Sequence, residues 1–242
     1  MRLKILTIIS ALGLMMMPVK ADVTMALGVI GNMADFNTSG SELDTFGRAT
    51  PAALKNNETN STSVSEGVGY GSFFVEGILR EDAASTIGIT FGIEHIPGTA
   101  QIGSKSRTDT ASTATDDGSD DAGTYSAKAE ISDHTTFYIE PTVYANENIG
   151  LYLKGGVSQI TVTSLESLSQ GDDSSAYGNE DVMGLMYGVG IRARTPWGIL
   201  IKLEYAETDY GEVTMDSTTG NKNRITAEPE QQAVKLAIGY QF

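Results

Sequence analysis

Charged side chains recur at alternate positions within several apolar stretches of the sequence. Near residue 200, for example, Lys202 and Glu204 alternate with Ile201, Leu203 and Tyr205. Successive side chains of a strand point to opposite faces, so such a stretch predicts a strand with one apolar and one charged face. The charged faces together carry five acids and five bases: Glu76, Glu94, Glu130, Glu140, Glu204, Lys128, Lys154, Arg192, Lys202 and Lys235. This balance predicts a polar interior in which opposite charges pair.

Some of these charges lie within about five residues of a predicted short turn, so they are expected to share one layer of the interior. They are Glu76, Glu140, Lys154, Arg192 and Lys202, of which Glu140 and Lys154, on neighbouring strands, form the best candidate pair. The layer is interpreted either as an ion gate or as a static salt-bridge plug. The plug is favoured because the strands predicted below number eight, and the interior of an eight-stranded barrel is only wide enough for side chains.

The histidines do not assemble a catalytic site. His134 is predicted to point inward beside Glu130, whereas Asp133 faces the other way and His95 lies at the end of an earlier strand. A hydrolase would need a histidine with a nucleophile or carboxylate partner. No triad follows from this spacing, so we expect no catalytic residues and a protein that is not an enzyme.

The sequence also argues against cofactor and metal sites. The acidic run at 115–121 lacks the glycine and distal glutamate of a calcium loop and is better interpreted as a solvated segment. The absence of cysteine excludes disulfides and thiolate metal sites. No helical pattern follows Gly184, Gly188 and Gly190, so these glycines are interpreted as points of close strand approach. We therefore expect no metal and no cofactor.

The elements that must position the charges are eight alternating strands. They begin near residue 23 and continue at 67–79, 87–94, 124–144, 151–158, 184–192, 199–206 and 233–242, with a bulge expected at Asp133. Three short links alternate with four long polar segments, predicted as loops at 35–66, 97–123, 164–180 and 207–228. This alternation predicts an all-β protein, an eight-stranded antiparallel up-and-down barrel.

The N-terminus has the pattern of an export signal. Arg2 and Lys4 precede an apolar segment, and a small-residue cleavage site ends at Ala21. We therefore expect residues 1–21 to be removed and residues 22–242 to form the barrel. Removal of Arg2, Lys4 and Lys20 changes the formal charge from −15 to −18. Such a charge repels nucleic acid, so no nucleic-acid partner is expected.

The last ten residues, AVKLAIGYQF, predict the strand that closes the barrel. One face is apolar and ends in two aromatic residues, which are favoured at a bilayer interface. This face comprises Val234, Leu236, Ile238, Tyr240 and Phe242. A soluble lipocalin-like barrel has the same strand count but turns its apolar face inward. The paired charges and the export signal favour a transmembrane barrel, because a sheet in lipid must close to leave no free edge.

This C-terminal pattern resembles the assembly signal of the opacity-protein-like or OmpX-like porin family of small outer-membrane barrels. The resemblance implies an outer-membrane location, contact with outer-membrane lipid and recognition by the barrel-insertion machinery. Members of this family include adhesins, structural barrels and narrow channels. We therefore expect a non-enzymatic envelope structural or surface-interaction (adhesin-like) protein that binds an extracellular ligand through its loops. The alternative is a narrow porin-like channel for small solutes.

Overall fold

The computed structural model describes residues 22–44, 58–109, 123–167, 177–218 and 224–242. The predicted signal peptide at 1–21 lies outside them. Within these ranges no helix is long and apolar enough to cross a membrane. The described strands are β1 (Asp22–Asp44), β2 (Glu58–Arg80), β3 (Ile87–Ile96), β4 (Ala100–Asp109), β5 (Gly123–Tyr144), β6 (Ile149–Ser167), β7 (Asn179–Arg194), β8 (Ile199–Tyr210), β9 (Val213–Asp216) and β10 (Arg224–Gln241).

Eight of these strands close into an antiparallel barrel, which confirms the predicted fold class. The order is β1-β2-β3-β5-β6-β7-β8-β10, and β10 pairs with β1 to close the ring. At the closing seam the backbone N–H of Met25 donates to the Phe242 carbonyl and the N–H of Phe242 donates to the Met25 carbonyl, both at 2.9 Å. The C-terminal strand therefore completes the barrel, as the sequence predicts.

An apolar belt surrounds the outside of the barrel. On β1, Val23, Leu27 and Met33 are 63%, 51% and 77% exposed, and equivalent side chains project from the other strands. The aromatic residues Tyr240 and Phe242 lie at the short-turn end of this belt. A wide exposed apolar belt on a barrel with buried charges is the arrangement of a transmembrane barrel, not of a soluble one.

The strands extend well beyond the belt. They include parts of all four segments that composition predicts to be loops. Of the predicted loop 35–66, residues 35–44 and 58–66 belong to β1 and β2. Of the predicted loop 97–123, residues 100–109 form β4. The loops predicted at 164–180 and 207–228 likewise contain strand residues, at 164–167, 179–180, 207–210, 213–216 and 224–228. Serine, threonine and glycine are tolerated there because the outer face of this part of the sheet meets water.

Above the belt the barrel wall separates into two sheets. Among the described residues, 58–72 of β2 pair only with β1, and β4 pairs only with β5. On the opposite side, β9 pairs only with β10. One sheet therefore has the order β9-β10-β1-β2, and the facing sheet has the order β4-β5-β6-β7. We call this two-sheet region the extracellular extension, because long connections lie outside the cell in barrels of this kind.

A hydrophobic core fills the space between the two sheets of the extracellular extension. Phe36, Val213 and Met215 come from one sheet, and Ile102 and Ile160 from the other. Phe36 is 1% exposed and Ile160 is fully buried. This part of the protein thus has the alternation of a β-sandwich, with apolar side chains inward and polar ones outward.

Candidate functional site

The structure brings eight of the ten predicted interior charges together inside the membrane-spanning half of the barrel. Each is less than 10% exposed. The group, called here the lumen charge network, consists of Glu76, Glu94, Glu140, Glu204, Lys154, Arg192, Lys202 and Lys235. Seven strands contribute to it, so it depends on closure of the whole ring.

Lys202 lies at the centre of the layer nearest the short turns. Its ammonium group donates to Glu76 and, at 2.7 Å, to Glu140. Arg192 reaches the same two carboxylates at 3.4 and 3.7 Å and donates to the Thr90 hydroxyl at 2.7 Å. Two acids thus share two bases across the lumen.

Lys154 connects this layer to the next one. Its Nζ atom lies 3.0 Å from Glu204, 3.6 Å from Glu140 and 3.7 Å from Glu94. Lys235 lies 2.9 Å from Glu94. The predicted pair of Glu140 and Lys154 is therefore in contact, but each has a closer partner, Lys202 for Glu140 and Glu204 for Lys154.

Aromatic rings fill the space between the ions. The Tyr138 hydroxyl donates to Glu76 and the Tyr152 hydroxyl donates to Glu204, each at 2.9 Å. The Lys154 ammonium lies 3.9 Å from the centroid of the Tyr138 ring. A Cβ atom at Gly190 would lie 2.4 Å from the Tyr152 ring, so only a glycine fits at the position on β7 over which this ring packs. This agrees with the sequence interpretation of Gly190 as a point of close approach.

The network is electrically neutral and closely packed. Its four acids and four bases each lie within 4.0 Å of an opposite charge. The gap beside Lys154, Lys202 and Lys235 has a volume of about 10 Å³, which is about the minimum for a single water molecule. Because each buried charge costs several kcal/mol to desolvate unless it is paired, removal of one member is expected to be costly.

Lys128 and Glu130 do not join the lumen charge network. Lys128 is exposed and Glu130 is partly exposed, whereas Ile131 points inward and is buried. The cause is the expected bulge. Asp133 has a φ of +53°, and the pairing of β5 with β6 shifts register between Ser132 and Thr135. One extra residue exchanges the two faces of a strand, so the charges above the bulge point outward.

The histidines lie on different sides of the wall. His134 is buried; its Nε2 atom is 3.2 Å from the Tyr210 hydroxyl, and its Nδ1 atom has no hydrogen-bond partner among the described residues. His95 is exposed, with Nδ1 3.0 Å from the Thr135 hydroxyl. Within the described ranges no group of three or more His, Cys, Asp or Glu is arranged to hold a metal. The acidic run at 115–121 lies outside those ranges.

The remaining predicted set, the C-terminal assembly signal, faces outward. Its side chains are between 51% and 61% exposed: Val234, Leu236, Ile238, Tyr240 and Phe242. The sequence interpretation did not assign the core of the extracellular extension. Phe36 and Val213 belong to that core but lie in segments predicted as loops, and only an isolated apolar residue in a polar segment marks each of them.

No protein-family model and no curated protein matches this chain. Solved structures similar to it include Ail, the attachment invasion locus protein of Yersinia pestis, with 11% identity, 92% of this chain and 99% of that chain covered, and a TM-score of 0.40. OprG of Pseudomonas aeruginosa has 13% identity, coverage of 89% and 96%, and a TM-score of 0.43. The outer membrane protease OmpT of Escherichia coli has 9% identity, coverage of 90% and 97%, and a TM-score of 0.42. Values this low do not extend the activity of any of these proteins to this chain.

Proposed function

We propose that this chain, an integral β-barrel of the Gram-negative outer membrane, is a non-enzymatic surface-interaction protein that binds an extracellular ligand through its extension. One observation carries the proposal. The lumen is filled by paired charges, while the strands continue beyond the apolar belt and pack a second core. β1, for example, has 23 residues, whereas a membrane crossing needs only about 9–11. A large part of the fold therefore serves to build a platform outside the membrane.

The packing of the lumen counts against the narrow-channel alternative. A solute would have to separate ion pairs such as Lys202 with Glu140 and then pass the apolar core around Phe36 and Ile160. Unpaired buried charges and opened apolar cores both cost several kcal/mol. Within the described residues, the gap beside the lumen charge network is too small for a row of water molecules.

The charge distribution favours a basic ligand. The eight charges of the lumen cancel, so the negative excess of the chain lies outside the lumen. On the extension, Asp35, Asp133, Glu228 and Glu230 are exposed. A surface dominated by one sign of charge attracts the opposite sign and accelerates encounter with it. We therefore expect binding to weaken as the salt concentration rises.

Display of the protein on a non-adherent Gram-negative host tests this function. Bacteria that carry the protein should be retained on a surface coated with basic polypeptide or on a layer of cultured animal cells. A variant in which Asp35, Asp133, Glu228 and Glu230 are replaced by asparagine or glutamine should lose most of this retention, because it removes exposed negative charges of the extension. A matched variant with a glycine-serine sequence at the short link 81–85 should keep it. Equal retention of all three strains would contradict the proposal.

A further inference from the structure

The barrel has a second feature at the opposite end, a blind cavity among the short turns. Its volume is about 180 Å³. Charged and aromatic side chains line it, namely Arg80, Asp82, Tyr144, Glu147, Arg192 and Arg194. These residues come from the ends of β2, β5 and β7 and from the turns that follow β2 and β5. We call this cavity the periplasmic vestibule, because short turns face the periplasm in outer-membrane barrels.

Arg80 is a fixed cation at the rim of the vestibule. Its guanidinium group donates to the backbone carbonyls of Ser85 and Glu147. Its central carbon lies 3.8 Å from the centroid of the Tyr144 ring. Among the described residues no carboxylate lies within ion-pair distance of it. Arg80 therefore keeps its positive charge available while its position is held by carbonyl groups and a ring.

The other two arginines differ in their surroundings. Arg192 forms the inner end of the vestibule and is neutralised by Glu76 and Glu140. Arg194 is exposed and has no carboxylate partner in the described part of the chain. Arg80 and Arg194 are thus the two cations that remain for a ligand. Planar guanidinium groups bind carboxylates well because two N–H groups match two oxygens.

The rim also carries two carboxylates. Asp82 accepts a hydrogen bond from the backbone N–H of Ser85, and both Asp82 and Glu147 are exposed. Two cations and two anions around one small cavity do not select a simple anion, since the carboxylates would repel it. They match a molecule that carries a carboxylate and an amine together.

We propose that the periplasmic vestibule binds a small zwitterion of about dipeptide size, with its carboxylate at Arg80 and Arg194 and its amine at Asp82 and Glu147. The cavity is smaller than the roughly 300–1,000 Å³ of pockets for drug-sized ligands, so it suits a molecule no larger than a short peptide. Peptides with both groups occur in the cell wall that lies beneath the outer membrane. Binding of such a molecule would be a role separate from surface interaction.

Titration of the folded protein in detergent micelles with three dipeptides tests the proposal. Alanylalanine carries both charges, N-acetylalanylalanine lacks the amine, and alanylalaninamide lacks the carboxylate. Followed by the amide resonances of the short turns, alanylalanine should bind saturably and each blocked probe at least about tenfold more weakly, since each loses a charge-assisted hydrogen bond. Absence of saturable binding would overturn the proposal. Equal binding of the acetylated probe would also overturn it, because the site would then be a simple anion site.

Variants identify the residues. Arg194→Gln should weaken alanylalanine binding about tenfold, and Glu147→Gln should weaken it by removing a partner of the amine. Both positions are exposed, so the barrel should still fold, whereas Arg80→Gln also removes contacts that hold the turn at 81–85. Arg224→Gln, at the extracellular end, is the control and should bind normally. Unchanged binding by Arg194→Gln would contradict the site. Cells that carry Arg194→Gln should still be retained in the surface assay. The two assays therefore distinguish failure of the vestibule proposal from failure of the proposed extracellular function.

Discussion

Lys202 illustrates how single residues hold the lumen together. It donates to Glu76 and Glu140, two carboxylates that are both fully buried and would otherwise repel each other. Tyr138 donates to Glu76 and Arg192 contacts both carboxylates, but neither replaces the ammonium group of Lys202. A buried pair of this kind contributes little net free energy when complete, yet its disruption is costly, because the remaining charges stay buried and unpaired.

Replacement of Lys202 by methionine keeps the length of the side chain but removes its charge. We expect Lys202→Met to lower the free energy of unfolding by about 3–5 kcal/mol. Denaturant titration in micelles, followed by the difference in migration of unboiled and boiled samples, measures this change. Lys128→Met is the matched control, since Lys128 is exposed, and should have little effect. Equal stability of both variants would contradict the proposed packing of the lumen.

Gly190 is a second residue whose identity is set by its surroundings. Gly190→Ala would place a Cβ atom 2.4 Å from the Tyr152 ring and 2.7 Å from the Leu203 carbonyl oxygen. We expect a loss of about 1–3 kcal/mol from overpacking. At Gly155 nothing lies within 4 Å of an added Cβ atom, so Gly155→Ala provides the comparison. If thermal unfolding gave the same transition for both variants, the ring would not be held as described.

Residue-level inference from the sequence succeeded where the period of two was unbroken. Lys154, Arg192 and Glu204 were placed inward by alternation alone. The same rule failed for Lys128 and Glu130, because the bulge at Asp133 shifts the register by one residue. The sequence indicates that a bulge is present, but the exchange of faces beyond it depends on which neighbouring residues remain paired. That information lies in the partner strand β6, not in the local pattern.

At the scale of elements, the strands consist of two parts with different solvents. In the belt region, lipid surrounds the wall and the lumen is polar, so apolar and charged residues alternate strongly along each strand. In the extracellular extension, water meets the outer face of the sheets and the interior is apolar, as around Phe36 and Ile102. Residues 35–44 and 58–66 are rich in small polar side chains, and this weak contrast explains why composition predicted loops there. The pairing of β1 with β2 continues without interruption from the belt into the extension.

The core of the extracellular extension has a stability that can be measured separately. Phe36→Ala removes a buried ring and should cost about 3–5 kcal/mol, mostly in the extension. Limited proteolysis with mass spectrometry should then detect new cleavage sites in the extension, while the belt strands stay protected by detergent.

Phe73→Ala is the matched control for Phe36→Ala. Phe73 lies on the belt and is 56% exposed, so its removal should leave the extension resistant to protease. Cleavage of the extension to the same extent in both variants would contradict an independent upper core.

At the scale of the whole molecule, the barrel combines a neutral lumen charge network with a surface on which, among the described residues, exposed acids outnumber exposed bases. Closure between β1 and β10 was predictable from the aromatic C-terminal strand, since lipid leaves no stable alternative to a closed sheet. The strand number was predictable from the alternation of short and long connections. The division of the upper wall into two sheets was not, because it depends on which strands stay paired beyond the belt.

The most direct test of this account is the conductance of the purified, folded protein in a planar bilayer. Paired charges fill the lumen in its membrane-spanning half, and an apolar core lies above them. We therefore expect the bilayer to show no steady conductance after insertion of the protein. A heat-dependent shift in electrophoretic migration verifies independently that the inserted protein is folded. Large, stable open channels in the unmodified protein would contradict the filled lumen and favour the channel alternative.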